Sequence, residues 1–267
     1  MSLFSKYTGA GNDFVIVRGE ELGLRDAGTL AAALCPRATG VGVDGLITVR
    51  SLSEEVVRLR FFNCDGSEFS TCGNGSRCAA RYAVDRGLVP PDHILVTDDG
   101  EILARVREDG VALEYALDAR VERELRARVG TGKRGERDAW LVRMGTAHLV
   151  VPVPSVDVED FDDLCRPLRW REDVGPGGAN VHLVARDGAT ALIRTFERGV
   201  EGETLACGSG CMAAAFALRA AGEAGDRVEF LVRSGAPLTV EFLEAGRIRL
   251  TGPAVFIFDG VFPEATR

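Results

Sequence analysis

Short apolar runs, many of them alternating with polar residues, are cut by glycine and by charged turns along the whole chain. Alternation at period two predicts half-buried strands, and short Val/Ile/Leu/Phe runs bounded by turn residues predict more deeply buried ones. The strands so predicted are Phe14–Val17, Leu46–Arg50, Val56–Phe62, Ile94–Thr97, Glu101–Arg107 and Val111–Ala116 in the first half. In the second half they are Trp140–Met144, His148–Val153, Val181–Ala185, Ala191–Phe196, Val228–Arg233, Leu238–Phe242, Ile248–Leu250 and Val255–Phe258. Helical patterns are fewer. Asp26–Cys35 and Asp160–Leu168 read as amphipathic helices. Gly75–Arg86 and Ser209–Ala221 read as helices rich in alanine, which lets a sheet close tightly around them.

The halves echo each other. Arg60-Phe61-Phe62-Asn63 closes a strand 12 residues before Cys72 when counted from the arginine, and Arg194-Thr195-Phe196-Glu197 closes one 13 residues before Cys207. Strand, loop, cysteine and helix follow in the same order twice, which supports an internal duplication rather than a coincidence of two Gly-rich loops. The Arg- and Glu-rich region 118–138, with glycines at 130, 132 and 135, reads as a connection between the halves.

Composition narrows the chemistry. With 46% hydrophobic residues in 267, the chain has material for a substantial core. A net charge of −8 argues against nucleic-acid and anionic-membrane partners. No run reaches the roughly 18 apolar residues that span a bilayer, and the N-terminus lacks the apolar stretch of a signal peptide. Seven cysteines, an odd number without framework spacing, favour a reduced, cytoplasmic setting. Only Lys6 and Lys133 are available as Schiff-base lysines, and neither sits in a convincing pyridoxal-phosphate site. The histidines 93, 148 and 182 have no metal-ligand spacing, and there is no Cys-x-x-Cys pair. Neither a cofactor nor a metal is expected.

The chemistry concentrates in Cys72-Gly73-Asn74-Gly75 and Cys207-Gly208-Ser209-Gly210, each entering a predicted helix. Glycines let backbone N–H groups approach an anion, and a helix N-terminus favours both a bound carboxylate and a thiolate. Two such thiols on opposite sides of one small molecule would take a proton from one face of a carbon and return it on the other. A cysteine taken singly also fits a buried small hydrophobe, which is the reading for Cys35, Cys64, Cys78, Cys165 and Cys211.

Longer strings surround the two loops. They are Gly9-Ala10-Gly11-Asn12-Asp13-Phe14, Gly40-Val41-Gly42-Val43-Asp44-Gly45, and Asn63-Cys64-Asp65-Gly66-Ser67 running on to Cys72-Gly73-Asn74-Gly75-Ser76-Arg77-Cys78. The second half has Gly178-Ala179-Asn180-Val181, Glu197-Arg198-Gly199-Val200 and Glu203-Thr204-Leu205-Ala206-Cys207-Gly208-Ser209-Gly210. Together, almost from end to end, they resemble the diaminopimelate epimerases, cofactor-independent amino-acid epimerases of lysine and peptidoglycan biosynthesis.

The resemblance implies an α/β (α+β) fold of two similar, pseudo-symmetric domains. Each is an antiparallel-rich sheet curled around a central helix, with the substrate between them. The C-terminal strand returns to the first domain, giving boundaries of 1–117 with about 255–267, and 118–254. The resemblance further implies Cys72 and Cys207 as the acid/base pair, and substrate contacts from Asn12, Asn63 and Asn180. It implies a carboxylate cradle at Gly73, Asn74, Gly208 and Ser209, with Glu197 and Arg198 holding the far end and His148 near the pair. Singly, the asparagines fit turns, Glu197-Arg198 a surface ion pair, and His148 a structural histidine. The implied partner is a small amino acid, and family members often form homodimers.

Two departures bear on specificity. Gly145-Thr146-Ala147-His148 stands where the family has Gly-Asn-Pro-His, so Thr146 replaces an asparagine that reads the distal end. The loop from Glu197 to Thr204 is one residue longer than the common form. A racemase or epimerase for histidine or a proline derivative is therefore the nearest alternative. A thiol redox or binding protein is the more distant one, and the missing Cys-x-x-Cys pair argues against it.

Overall fold

A computed structural model describes residues 2–23, 25–116, 122–130 and 135–262. The chain divides into two compact units, Met1–Tyr115 with Thr251–Arg267, and Ala116–Leu250. The first unit contains β1 (Ser2–Gly9), β2 (Asn12–Arg18), α1 (Ala27–Leu34), β3 (Gly45–Ser51), β4 (Val56–Asn63), β5 (Glu68–Phe69), α2 (Gly73–Asp85), β6 (Asp92–Thr97), β7 (Gly100–Arg107) and β8 (Gly110–Ala116). The second contains β9 (Glu122–Gly130), β10 (Glu136–Met144), β11 (Thr146–Pro152), α3 (Phe161–Arg169), β12 (Asn180–Asp187), β13 (Thr190–Glu197), β14 (Gly202–Thr204), α4 (Gly208–Ala220), β15 (Arg227–Leu231) and β16 (Pro237–Leu243). β17 (Arg247–Gly252) follows, and β18 (Val255–Phe262) returns to the first unit, where it pairs antiparallel with β1 from Ser2↔Phe262 to Thr8↔Val255.

The two units share one plan. In the first, β18, β1, β2, β3, β4, β6, β7 and β8 pair in that order, and β5 adds to β4. In the second, β9, β10, β11, β12, β13, β15 and β16 pair in that order, and β14 adds to β13. The parallel pairs β2–β3 and β4–β6 are each connected through a helix, and so are β11–β12 and β13–β15. Every other pair just named is antiparallel; apart from β18–β1, which brings the two ends of the chain together, these join consecutive strands, for which a short connection suffices whereas a parallel pair needs a crossover. The antiparallel-rich, duplicated α+β reading is thus what the fold displays.

Strand parity decides which helix each face meets. Val15, Val17, Leu46 and Phe62 pack with α1, whereas Phe14, Ile16, Ile47, Val49 and Phe61 pack with α2. In the second unit Leu149, Val151, Val181 and Leu183 face α3. α2 buries residues around most of its circumference, including Gly75, Cys78, Ala79, Ala80 and Ala83. α4 does the same with Gly210, Cys211 and Ala213–Ala215. Small side chains permit this, since a sheet can approach a helix on several sides only where side chains are short. Among the described residues, no helix is long and apolar enough to cross a membrane.

The hydrophobic pattern missed β1, β5, β9 and β14. β1 has no strict alternation, since its large apolar residues Leu3, Phe4 and Tyr7 are unevenly spaced, and the irregularity in its pairing lies on β18, where Ile257 is passed over between Lys6↔Phe258 and Tyr7↔Phe256. β5 and β14 are two and three residues long. Residues 122–130 of the expected connection form β9, registered along β10 from Gly130↔Glu136 to Glu122↔Arg143. Residues 118–121 and 131–134, with Lys133, lie outside the described residues. Cys64 is exposed rather than buried; its Sγ lies 3.3 Å from the carbonyl oxygen of Val43.

Candidate active site

Cys72 is the N-cap of α2, in extended conformation at φ −147°, ψ 120°. The Ser76 amide donates to its carbonyl at 2.7 Å, and the Gly75 amide donates to its Sγ at 3.5 Å. The thiol therefore sits at the positive end of a helix, where the first-turn amides point out of the N-terminus. β1 passes so close to this turn that a Cβ on Gly9 would lie 2.9 Å from the Asn74 carbonyl oxygen.

A chain of side-chain hydrogen bonds fixes this loop. The buried Arg77 guanidinium donates to Asn74 Oδ1 at 2.6 Å. Asn74 Nδ2 donates to Asn12 Oδ1, and Asn12 Nδ2 donates to Asp44 Oδ2 at 3.0 Å. Both amides are thus oriented by their partners. Asn12 and Asn74, expected at the site, are brought together beside Cys72. Asn63 stands exposed at the end of β4, and its Nδ2 donates to Ser67 Oγ within the turn that follows. Arg77 and Asp44 were not singled out by the sequence reading. Arg77 had a visible signal, a charge among the otherwise small residues of the first two turns, 73–80.

Cys207 is the N-cap of α4, also extended at φ −130°, ψ 107°, and is buried. The Cys211 amide donates to its carbonyl at 3.0 Å, and its Sγ lies 3.5 Å from Ser209 Oγ. Between each cysteine loop and the strand before it lies the same paired bridge. Arg60 of β4 makes two bonds to Glu68 of β5, at 2.7 and 2.8 Å. Arg194 of β13 makes two to Glu203 of β14, at 2.6 and 2.9 Å. The Arg60 bonds hold the Glu68 carboxyl below its ordinary range.

The remaining second-half residues converge near α4. The Arg198 amide donates to Asn180 Oδ1 at 2.7 Å, so Asn180 Nδ2 is directed toward Thr146 Oγ1, 3.5 Å away. Thr146 Oγ1 lies 3.0 Å from His148 Nε2. His148 Nδ1 lies 2.9 Å from His182 Nε2, and His182 Nδ1 lies 2.9 Å from Thr195 Oγ1. Burial, with the Arg198 charge adding to it, pushes the His148 imidazole down to about 4. Burial and then His148 push His182 well below its ordinary value. Both rings are neutral near neutral pH, each with one N–H. Glu197 Oε2 accepts from Thr204 Oγ1 at 2.8 Å. The exposed Arg198 side chain reaches the Gly177 region, where a Cβ would sit 3.1 Å from its Nη1.

The lengthened loop has its own anchor. Arg169, buried at the end of α3, donates through Nη2 to Glu201 Oε1 at 3.0 Å and through Nη1 to the Gly177 carbonyl at 2.8 Å. It thereby ties the segment before Asn180 to the loop after Arg198. Neither Arg169 nor His182 was expected at the site; His182 is a single polar residue in an apolar strand, Arg169 is one of several arginines about the end of α3, and the partners of each are distant in sequence.

A cysteine at the N-cap of a buried helix, with glycines in the first turn, can seat a carboxylate on helix amides and hold sulfur beside the adjoining carbon. The chain carries this arrangement twice.

Comparison with known proteins gives these features a context. The family model described as diaminopimelate epimerase matches residues 4–121 and 140–257. A diaminopimelate epimerase of Aquifex aeolicus (strain VF5) is 37% identical over 98% of this chain and 98% of its own length. One of Archaeoglobus fulgidus is 37% identical over 97% and 95%. In fold, the chain is similar to a phenazine biosynthesis PhzC/PhzF protein from Clostridium difficile (strain 630), with TM-score 0.74 at 13% identity over 99% of this chain and all of the other. It is also similar to a hydroxyproline epimerase from Agrobacterium vitis, with TM-score 0.67 at 16% identity over 97% and 91%.

Proposed function

As the chain belongs to the diaminopimelate epimerase family, we propose that it interconverts LL- and meso-diaminopimelate by a cofactor-independent proton transfer between Cys72 and Cys207. The observation that carries the mechanism is the repeated placement of cysteine at the N-cap of a buried helix, once in each unit. One cysteine, as thiolate, takes the α-proton. The other, as thiol, donates its proton to the opposite face. The α-carbon inverts and the two sulfurs exchange protonation states, so the reverse reaction uses the same pair with roles exchanged. A bare α-proton is a very weak acid. Helix-terminal amides at Gly73, Asn74, Gly208 and Ser209 stabilise the carboxylate as negative charge builds on it. Asn12, Asn63, Asn180, Glu197 and Arg198 contact the rest of the substrate, with His148 and Thr146 supporting Asn180 from below.

Incubation with LL-diaminopimelate in deuterated water is expected to give meso product carrying one α-deuterium, read by mass spectrometry and NMR. Exchange into histidine or a proline derivative, with none into diaminopimelate, overturns the substrate assignment. Thr146 supports a modified distal contact, because its hydroxyl faces His148 and Asn180 rather than presenting a second amide.

The odd cysteine count supports a cytoplasmic location for this activity. The apolar surface of β18 supports a homodimer. Val255, Phe256, Ile257, Phe258 and Val261 are all exposed on this strand, which pairs with β1 along one edge. An exposed patch of this kind marks an interface, and an antiparallel strand edge is self-complementary about a two-fold axis. Ile257→Glu together with Val261→Glu is expected to convert a dimer into a monomer in sedimentation velocity. A wild-type protein that sediments as a monomer at all concentrations overturns this.

A further inference from the structure

The duplication supplies an internal comparison. By register, Phe14 lies opposite Gly45 and Ile16 opposite Ile47 in the parallel pair β2–β3, and Ile47 lies opposite Phe61 across β3–β4. In the second unit His148 lies opposite Asn180 and Val150 opposite His182 in the parallel pair β11–β12, and His182 lies opposite Thr195 across β12–β13. Phe14, Ile47 and Phe61 of one unit thus correspond to His148, His182 and Thr195 of the other. Both trios lie under the same turn. A Cβ on Gly75 would meet Ile47 Cδ1 at 3.0 Å and Phe61 Cε1 at 3.1 Å, whereas a Cβ on Gly210 would meet His182 Cε1 at 2.3 Å.

The fold is therefore satisfied at this place by an apolar trio, as the first unit shows. The second unit has instead a wholly buried row of polar groups, each of which needs a partner to offset its lost hydration. That row has two functional ends. Through Thr146 it reaches Asn180, whose carbonyl holds the Arg198 amide. Through the His182 ring it lies against Gly210, in the first turn after Cys207. Donation can run in one sense along the whole row, giving each ring one donor and one acceptor: Asn180 Nδ2 to Thr146, the Thr146 hydroxyl to His148 Nε2, His148 Nδ1–H to His182 Nε2, and His182 Nδ1–H to Thr195.

We infer that His182 is a positioning residue: its hydrogen bond to His148 sets that ring's tautomer and the direction of the Thr146 and Asn180 bonds, while its ring supports the first turn of α4. The inference rests on the proposed epimerase reading for its kinetic arm only.

Two amide substitutions separate the roles of the ring nitrogens. Glutamine places its terminal group near the position of Nε2 and keeps a partner for His148. Asparagine places its group near Nδ1 and keeps only the bond to Thr195. For His182→Gln, kcat/KM for epimerisation is expected to stay within about 5-fold of wild type, and for His182→Asn to fall about 10- to 100-fold, the range for a buried group left without its partner. A packing role alone would not favour the longer amide in this way. Nitrogen-15 spectra of the imidazoles, read without substrate, provide the independent arm, since the chain has only three histidines. The wild-type spectrum should show His148 protonated on Nδ1. His182→Asn should shift that resonance and His182→Gln should preserve it. Equal kcat/KM for both variants, or a His148 tautomer unchanged in His182→Asn, overturns the inference. A wild-type protein that fails to epimerise diaminopimelate overturns the function instead, and leaves the tautomer result standing.

Discussion

Alanine at Cys72 or at Cys207 is expected to lower kcat for epimerisation by at least about three orders of magnitude, within the range contributed by a positioned acid or base. Neither change should unfold the protein. Cys72 and Cys207 are both N-caps, and an N-cap substitution costs on the order of 1 kcal/mol. Circular dichroism should therefore be unchanged in both variants. Proton exchange without inversion gives the sharper result. With one thiol gone, the surviving thiolate can still remove a proton from its own face and return solvent deuterium there. Cys72→Ala and Cys207→Ala should then label opposite stereoisomers, each with retention of configuration. Full epimerase activity in both variants would end the two-base account. Labelling of the same stereoisomer by both would mean that the cysteines do not address opposite faces.

How much of this was legible in the chain depended on whether the signal was local. Strand parity was local, so Val15 against Phe14, or Val181 against His182, already divided the residues between two faces. The two Cys-Gly-x-Gly loops were local as well, and the helices begin within two residues of where the pattern placed them. The chemistry behind the loops was not local. His148 and His182 meet only because β11 and β12 are parallel and in a register that sets Val150 beside His182. His148 alone read as structural, and His182 was noted only as lacking metal-ligand spacing. Arg169 was hidden for the same reason, since its partners Gly177 and Glu201 lie on segments that the helix pattern does not connect. β9 was hidden by charge: its Glu- and Arg-rich sequence reads as a linker, and its pairing with β10 outweighs that bias. Cys64 was misread because a cysteine taken singly suggests a buried small hydrophobe, whereas the turn after β4 carries it to the surface.

The two first-turn glycines respond differently to one added methyl. Gly75→Ala places a Cβ 3.0 Å from Ile47 Cδ1 and 3.1 Å from Phe61 Cε1. The Ile47 methyl is the end of a flexible side chain and can move by a few tenths of an ångström. Alanine also removes some backbone freedom from the unfolded chain. A change in stability below about 1 kcal/mol is therefore expected there. Gly210→Ala places its Cβ 2.3 Å from His182 Cε1 and 2.7 Å from Nδ1. The ring cannot withdraw without breaking the bond to His148 on one side or to Thr195 on the other, both 2.9 Å long. If α4 moves instead, Cys207 and the amides proposed to bind the carboxylate move with it. Either adjustment should cost about 1–3 kcal/mol of stability. On the proposed two-cysteine mechanism, displacement of the turn after Cys207 by even an ångström should lower kcat/KM by about 100-fold. Thermal unfolding and steady-state kinetics on the two variants make the comparison. Equal losses at Gly75 and Gly210 would mean that the polar row beneath α4 yields as readily as the apolar trio beneath α2, and that it does not hold Cys207 in place.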